Sequence, residues 1–164
     1  MRTLALVLAL LLTQAAPRYD VIIVNGRVVD GTGAPWFRAD VGIVGDRIQA
    51  LGDLQSAQAA MRIDASNLVV APGFIDLLGQ SEFNVLVDTR AASKIMQGIT
   101  TEITGEGSSI APVNDRMIAE RKAAYAHFGV SQDWRTLDEY FARLRRTKLA
   151  INVRTFVGSG GVPD

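Results

Sequence analysis

The pattern of apolar and polar positions changes its period once along this chain, at Pro72-Gly73. Before that point, short β-branched runs are separated by turn residues, which is the signature of strands. Val21–Val24 and Arg27–Asp30 flank Asn25-Gly26, a pair whose tolerance of positive φ predicts a two-residue hairpin. Ala39–Val44 and Arg47–Leu51 flank Gly45-Asp46, and 62–64 and 68–71 flank Ala65-Ser66-Asn67, which predicts two more. Three hairpins so close together imply a small antiparallel sheet or half of a sandwich. Trp36 and Phe37 follow the breaker Gly31-Thr32-Gly33-Ala34-Pro35 and are expected to cover a sheet edge rather than to bind a ligand.

After Gly73 strands alternate with helices. Phe74–Leu78 is an apolar run enclosing Asp76, as suits a strand buried on both faces of a parallel sheet. Residues 90–97 are helix-compatible, with Gly98 placed to cap the C-terminus. Ile99–Thr104 is a strand rich in Thr and Ile. Pro112 and Asn114 lead into a helix whose Met117, Ile118, Ala124, Tyr125 and Phe128 share a face and which Gly129 stops. Thr136 and Glu139 form a capping box for a helix carrying Leu137, Tyr140, Phe141 and Leu144 at helical spacing. Residues 150–157 make a third strand, followed by Gly158, Gly160 and Gly161. This order predicts an α/β architecture, either a doubly wound sheet or the first strands and helices of a (β/α)8 barrel. Only 92 residues follow Pro72, against about 250 for an eight-unit barrel. The barrel is therefore expected to be incomplete and the chain to be a fragment.

Composition narrows the function classes. Basic and acidic residues number 17 each, so no basic stripe supports a nucleic-acid partner. The chain has no cysteine, which excludes disulfides and thiolate metal sites. Its N-terminus reads as a secretory signal over 1–15: a positive Arg2, an apolar run Leu4–Leu12, and small residues before an expected cleavage after Ala15. The run is shorter than the roughly 20 residues of a spanning helix, so the mature protein is expected to be secreted or periplasmic, with no membrane association. Residues 16–72 then make the β domain and 73–164 the start of the barrel.

The C-terminal ends of barrel strands are where chemistry sits. Two polar clusters stand there, Gly79-Gln80-Ser81-Glu82 and Gly105-Glu106-Gly107-Ser108-Ser109. Glu106 is the candidate catalytic group, as a carboxylate ligand or general base, and Gln80 and Glu82 are candidate substrate contacts. The competing reading makes all three loop residues that cap backbone donors. Asp76 is expected to hold its loop by hydrogen bonds, since a buried charge must be paired. Gly105-x-Gly107 runs into Ala111-Pro112 rather than straight into a helix, unlike a phosphate cradle. His127, the single histidine, falls in a helix's last turn, where it favours the dipole.

The residues 25–31, Asn-Gly-Arg-Val-Val-Asp-Gly, followed by Ala71-Pro72-Gly73-Phe74-Ile75-Asp76, resemble the opening of the amidohydrolase superfamily. Gln97-Gly98-Ile99-Thr100-Thr101 and the run from Gly105 to Pro112 are similar to the second strand of its N-acyl-D-amino-acid deacylase (D-aminoacylase) branch. The resemblance implies a small β-sandwich-like domain beside a metal-dependent barrel, and zinc or another divalent metal whose hydroxide attacks the amide carbonyl of an N-acyl amino acid. It also implies two histidines at positions held here by Leu78 and Gln80, and often a cysteine where Gly107 stands. Leucine and glycine have no donor side chain and glutamine is a poor zinc ligand, so no metal ligand is assigned and metal binding by this chain is doubtful. The expectation is an exported amidohydrolase. Its alternatives are an inactive exported binding protein and a non-functional fragment.

Overall fold

A computed structural model describes residues 18–158. The expected leader over 1–15, with its expected cleavage after Ala15, and Gly160 and Gly161 lie outside the described residues. The chain divides into two compact units, one ending at Pro72 and the other beginning at Gly73.

The first unit contains β1 (Arg18–Val24), β2 (Arg27–Val28), β3 (Phe37–Arg38), β4 (Asp40–Val44), β5 (Arg47–Gly52), β6 (Gln58–Asp64) and β7 (Val69–Val70). They form two sheets, ordered β5-β4-β1-β6 and β3-β2-β7. Only the middle expected hairpin exists, β4 against β5 around Gly45-Asp46. β1 does not fold back on β2; it pairs antiparallel with β4 and parallel with β6. β2 pairs antiparallel with β3 and parallel with β7. The expected antiparallel sheet is thus two mixed sheets. The segments β1–β2 and β6–β7 run side by side, and each passes from one sheet to the other at the residues read as turns.

The corner has a local cause. Asn25 and Asn67 both adopt left-handed φ of 65°, which asparagine tolerates better than most residues. Gly26 is needed for a different reason: a Cβ there would lie 2.5 Å from Val70 Cγ2. The two corners are joined by Ala65 N to Val24 O at 2.8 Å, Arg27 N to Leu68 O at 3.1 Å, and Asn25 Nδ2 to Asp64 Oδ1 at 2.9 Å. Tyr19, Ile22 and Val24 form the adjoining core. The buried Asp40 carboxylate accepts from Asn25 N, Leu54 N and Gln55 Nε2, so its burial is compensated. Phe37 lies on the edge strand β3, and the Arg27 guanidinium sits 5.9 Å from the ring centroid of neighbouring Trp36.

The second unit contains β8 (Phe74–Asp76), β9 (Ile99–Thr104) and β10 (Asn152–Thr155) as a parallel sheet in the order β10-β9-β8. Between the strands lie α1 (Asn84–Val87), α2 (Ala92–Ile95), α3 (Asp115–His127) and α4 (Leu137–Thr147). The alternation follows the sequence pattern, with two corrections. The strand expected over Phe74–Leu78 is three residues long, and it is not buried on both faces. Phe74 and Ile75, which leave opposite faces of β8, are 63 % and 59 % exposed, so neither face of this edge strand is covered among the described residues. The helix expected over 90–97 shrinks to the single turn α2, entered through Ala91 at φ 45°.

α4 begins in the expected capping box, with Thr136 Oγ1 accepting from Glu139 N and the Glu139 carboxylate from Thr136 N. Its Tyr140 and Leu144 are buried beside Trp134, Val85, Ile110 and Ile151. α3 is capped by Asn114, whose side chain accepts from Met117 N. Its expected apolar face buries less than the pattern implies: Met117, Ile118 and Tyr125 are half-buried, and Ala124 and Phe128 are exposed. Phe83 packs against Tyr125 at 4.3 Å and Trp134 against Tyr140 at 5.6 Å, both with tilted rings, so aromatic packing carries this excursion. Among the described residues, no helix is long and apolar enough to cross a membrane.

Two substitutions test this account by chemical denaturation. Thr136→Ala removes a cap and should lower stability by about 1 kcal/mol. Gly26→Ala forces Val70 aside and should cost about 1–3 kcal/mol. An unchanged midpoint in either variant would mean that the cap or the corner carries no stability.

Candidate functional site at the strand ends

Asp76 and Glu102 are register partners on β8 and β9, so their side chains leave the same face of the sheet. Like charges placed directly opposite destabilise a sheet, and Glu102 is 0 % exposed. The compensation comes from α2. Lys94 Nζ lies 2.6 Å from Asp76 Oδ2 and 3.4 Å from Glu102 Oε1. The loop after β8 supplies the remaining partners: Ser81 N donates to Glu102 Oε1 at 3.2 Å, and the Ser81 hydroxyl donates to Glu102 Oε2. Asp76 Oδ1 also accepts from Leu78 N at 3.1 Å. This loop comes so close that a Cβ on Gly79 would overlap the Glu102 carboxylate, while Gly79 N donates to Ile103 O at 2.9 Å.

The electrostatics follow from these contacts. The hydrogen bond from Lys94 and the one from Leu78 N hold the Asp76 carboxyl below its usual range. The hydrogen bond to Asp76 raises the Lys94 ammonium, with the Glu102 charge adding to it against partial burial. The Tyr140 hydroxyl is pushed up by burial first, then by the charges of Glu82 and Glu102.

Glu82, expected to contact substrate, is half-buried and tied to the backbone. Its Oε1 accepts from Gly105 N at 3.0 Å, and its carbonyl accepts from Tyr140 Oη at 2.8 Å. It joins the loop after β8 to the start of the loop after β9. Gln80 and Glu106 are exposed on those two loops. Among the described residues neither side chain has a hydrogen-bond partner, and the Glu106 carbonyl accepts from Ser108 N. The structure thus joins the two predicted loops through Glu82, and leaves Gln80 and Glu106 free. Asp76 plays the expected loop-holding role.

Sequence reading missed Glu102, Lys94 and Ser81. The available signal was a charged residue inside a Thr/Ile strand with sheet on both sides, which demands a partner. The partner's identity depends on how the crossover through α2 returns to the sheet.

The donor chemistry does not fit a metal held by these two strands. Leu78 and Gly107 have no donor side chain, and both Glu102 oxygens are engaged by Lys94 and Ser81. Among the described residues, no group of three or more His, Cys, Asp or Glu side chains converges as a metal site.

No family model matches the chain. It is 38 % identical over 141 residues to a D-aminoacylase of Alcaligenes xylosoxydans xylosoxydans, covering 85 % of this chain and 29 % of that protein. It is 40 % identical over 142 residues to an N-acyl-D-glutamate deacylase of the same organism, covering 86 % and 29 %. Among solved structures, it superposes on the N-acyl-D-glutamate deacylase of Bordetella bronchiseptica, complexed with zinc and a phosphonate mimic of the reaction's tetrahedral intermediate. The TM-score is 0.73 at 36 % identity, over 87 % of this chain and 30 % of that one. A D-aminoacylase with a binuclear metal centre gives a TM-score of 0.72 at 38 % identity, over 85 % and 30 %. The chain therefore spans about three tenths of the length of these relatives.

The two shifts each contribute to the pH dependence of stability. The contribution of Asp76 is present above the ordinary carboxyl pKa of about 3.9 and is lost as pH falls through the lowered folded value. The contribution of Lys94 is complete below its ordinary pKa of about 10.4 and is lost as pH rises through the raised folded value. Unfolding midpoints should hold a plateau between those limits. Asp76→Asn should soften the acid limb and Lys94→Met the alkaline limb. Wild-type limbs in both variants would contradict the assignment.

Proposed function

This chain is a homologue of D-aminoacylases and N-acyl-D-glutamate deacylases, which are amidohydrolases, and on that premise we propose that it supplies the β domain and first parallel strands of a (β/α)8 hydrolase of N-acyl-D-amino acids. The observation that carries the reading is the 38–40 % identity over 85–86 % of this chain. The reaction would be hydrolysis of a non-peptide C–N bond: water adds to the amide carbonyl, the tetrahedral intermediate collapses, and the amine leaves with a proton. In the whole protein a divalent metal would supply the activation of that water. Such a site needs about three protein ligands, a set the described residues do not provide.

In this reading the chain's own residues orient substrate and handle protons. Glu106, free on the loop after β9, takes or returns a proton as general base or acid. Gln80, free on the neighbouring loop, offers a carboxamide to the substrate's polar groups. Glu82 acts on that surface by fixing the two loops together through Gly105 N. The leader places the protein outside the cytoplasm; the exported protein should begin at Ala16 by intact mass, and one that still begins at Met1 would refute export with cleavage.

A second reading, an exported protein that binds N-acyl amino acids without turning them over, is favoured by Leu78 and Gly107 and by the engaged Glu102. Release of free D-amino acid from N-acyl-D-amino acids by the native protein separates the two. Turnover supports the hydrolase, and saturable binding without release supports the second reading. If turnover is found, Glu106→Gln should lower kcat by about a hundredfold, the scale of acid–base catalysis. An unchanged kcat in a folded variant would make Glu106 a loop carboxylate only.

A further inference from the structure

The structure assigns to Lys94 the role of a fixed internal cation that locks the ends of β8 and β9 together, so that these two strands are organised by an ammonium and take no metal ion. Metal-containing relatives imply a cation in this fold, but the donors on these strands do not meet that need. The buried Glu102 gives both carboxylate oxygens to protein partners, one shared by Lys94 and Ser81 N and the other held by the Ser81 hydroxyl. Asp76 gives one oxygen to Lys94 and the other to Leu78 N. A divalent ion entering here would have to displace an ammonium already balanced against two carboxylates, without imidazole or thiolate ligands to compensate.

The lock reaches the candidate site through the chain that carries Gln80. Ser81 is bound to Glu102 on one side of Gln80, and Gly79 is seated over Glu102 and bonded to Ile103 O on the other. The next residue, Glu82, holds Gly105, which precedes Glu106. Lys94 therefore acts as a positioning residue. Through Asp76 and Glu102 it fixes the backbone from Leu78 to Glu82, and through Glu82 it sets the start of the loop bearing Glu106. This inference does not depend on which amide, if any, the protein hydrolyses.

The test reads local order rather than activity. Amide hydrogen exchange at Gly79, Ser81 and Gly105 is compared in the whole polypeptide, alongside the unfolding midpoint, with and without zinc or chelator. Lys94→Met should accelerate exchange at Gly79 and Ser81 by at least about tenfold, because a buried carboxylate loses its partner. Lys94→Arg should recover most of the protection. Neither zinc nor chelator should change wild-type protection at these amides. If Lys94→Met does not fold, Lys94→Met with Glu102→Gln removes the uncompensated charge. That double variant should fold yet still exchange faster at Gly79 and Ser81. Wild-type protection in the double variant would overturn the proposal. So would stoichiometric zinc binding that slows exchange at these amides and is abolished by Asp76→Asn or Glu102→Gln.

Discussion

A carboxylate with no exposure to solvent, Glu102, sits on the central strand of a three-stranded parallel sheet with another carboxylate beside it. An unpaired buried charge is costly enough that the surrounding chain must answer it. The answer uses three separate pieces of sequence: Lys94 on α2 and Ser81 in the loop after β8 meet Glu102 directly, and Asp76 at the end of β8, itself a second acid, holds Lys94. Each is placed by a local feature, namely the register of β8 on β9, the close approach allowed by Gly79, and the single helical turn that returns the chain to the sheet. Remove the carboxylate's partners and the reason for that loop geometry goes with them.

The same logic holds in the first unit, with hydrogen bonds in place of an ion pair. Asp40 is buried and accepts three donors, from Asn25, Leu54 and Gln55. Asn25 is also the corner at which the chain changes sheets, and it reaches Asp64 at the matching corner of β6. A buried acid thus helps to fix the path of the backbone in both units.

Local signals were legible and non-local ones were not. The bounds of β9 are legible because Gly98 and Gly105 punctuate a β-branched run, and the start of α4 because Thr136 and Glu139 cap it reciprocally. Asn25-Gly26 misled because positive φ serves a sheet-switching corner as well as a hairpin. The strands that decide between them, β4 and β6, lie well downstream in sequence. Burial of Phe74–Leu78 is not legible in the same way, because an apolar run does not disclose what covers the two faces of its strand. The placement of Gln80 and Glu106 on loops after strands is legible from the strand order, whereas the pairing of Lys94 with Glu102 needs the crossover itself. Glu82 stands on the expected loop, and one oxygen of its carboxylate accepts from the backbone amide of Gly105, a contact between loops that strand order alone does not disclose.

In this chain the first two parallel strands are joined by a lysine and two acids. Whatever chemistry the protein performs must work with that pairing in place. The most direct test is a double-mutant cycle in unfolding free energy, comparing Lys94→Met, Glu102→Gln and the pair. The double variant should be less destabilised than the sum of the single ones, by about 1–3 kcal/mol. Additivity within about 0.5 kcal/mol would mean that the ammonium and the buried carboxylate do not depend on each other, and would contradict their pairing.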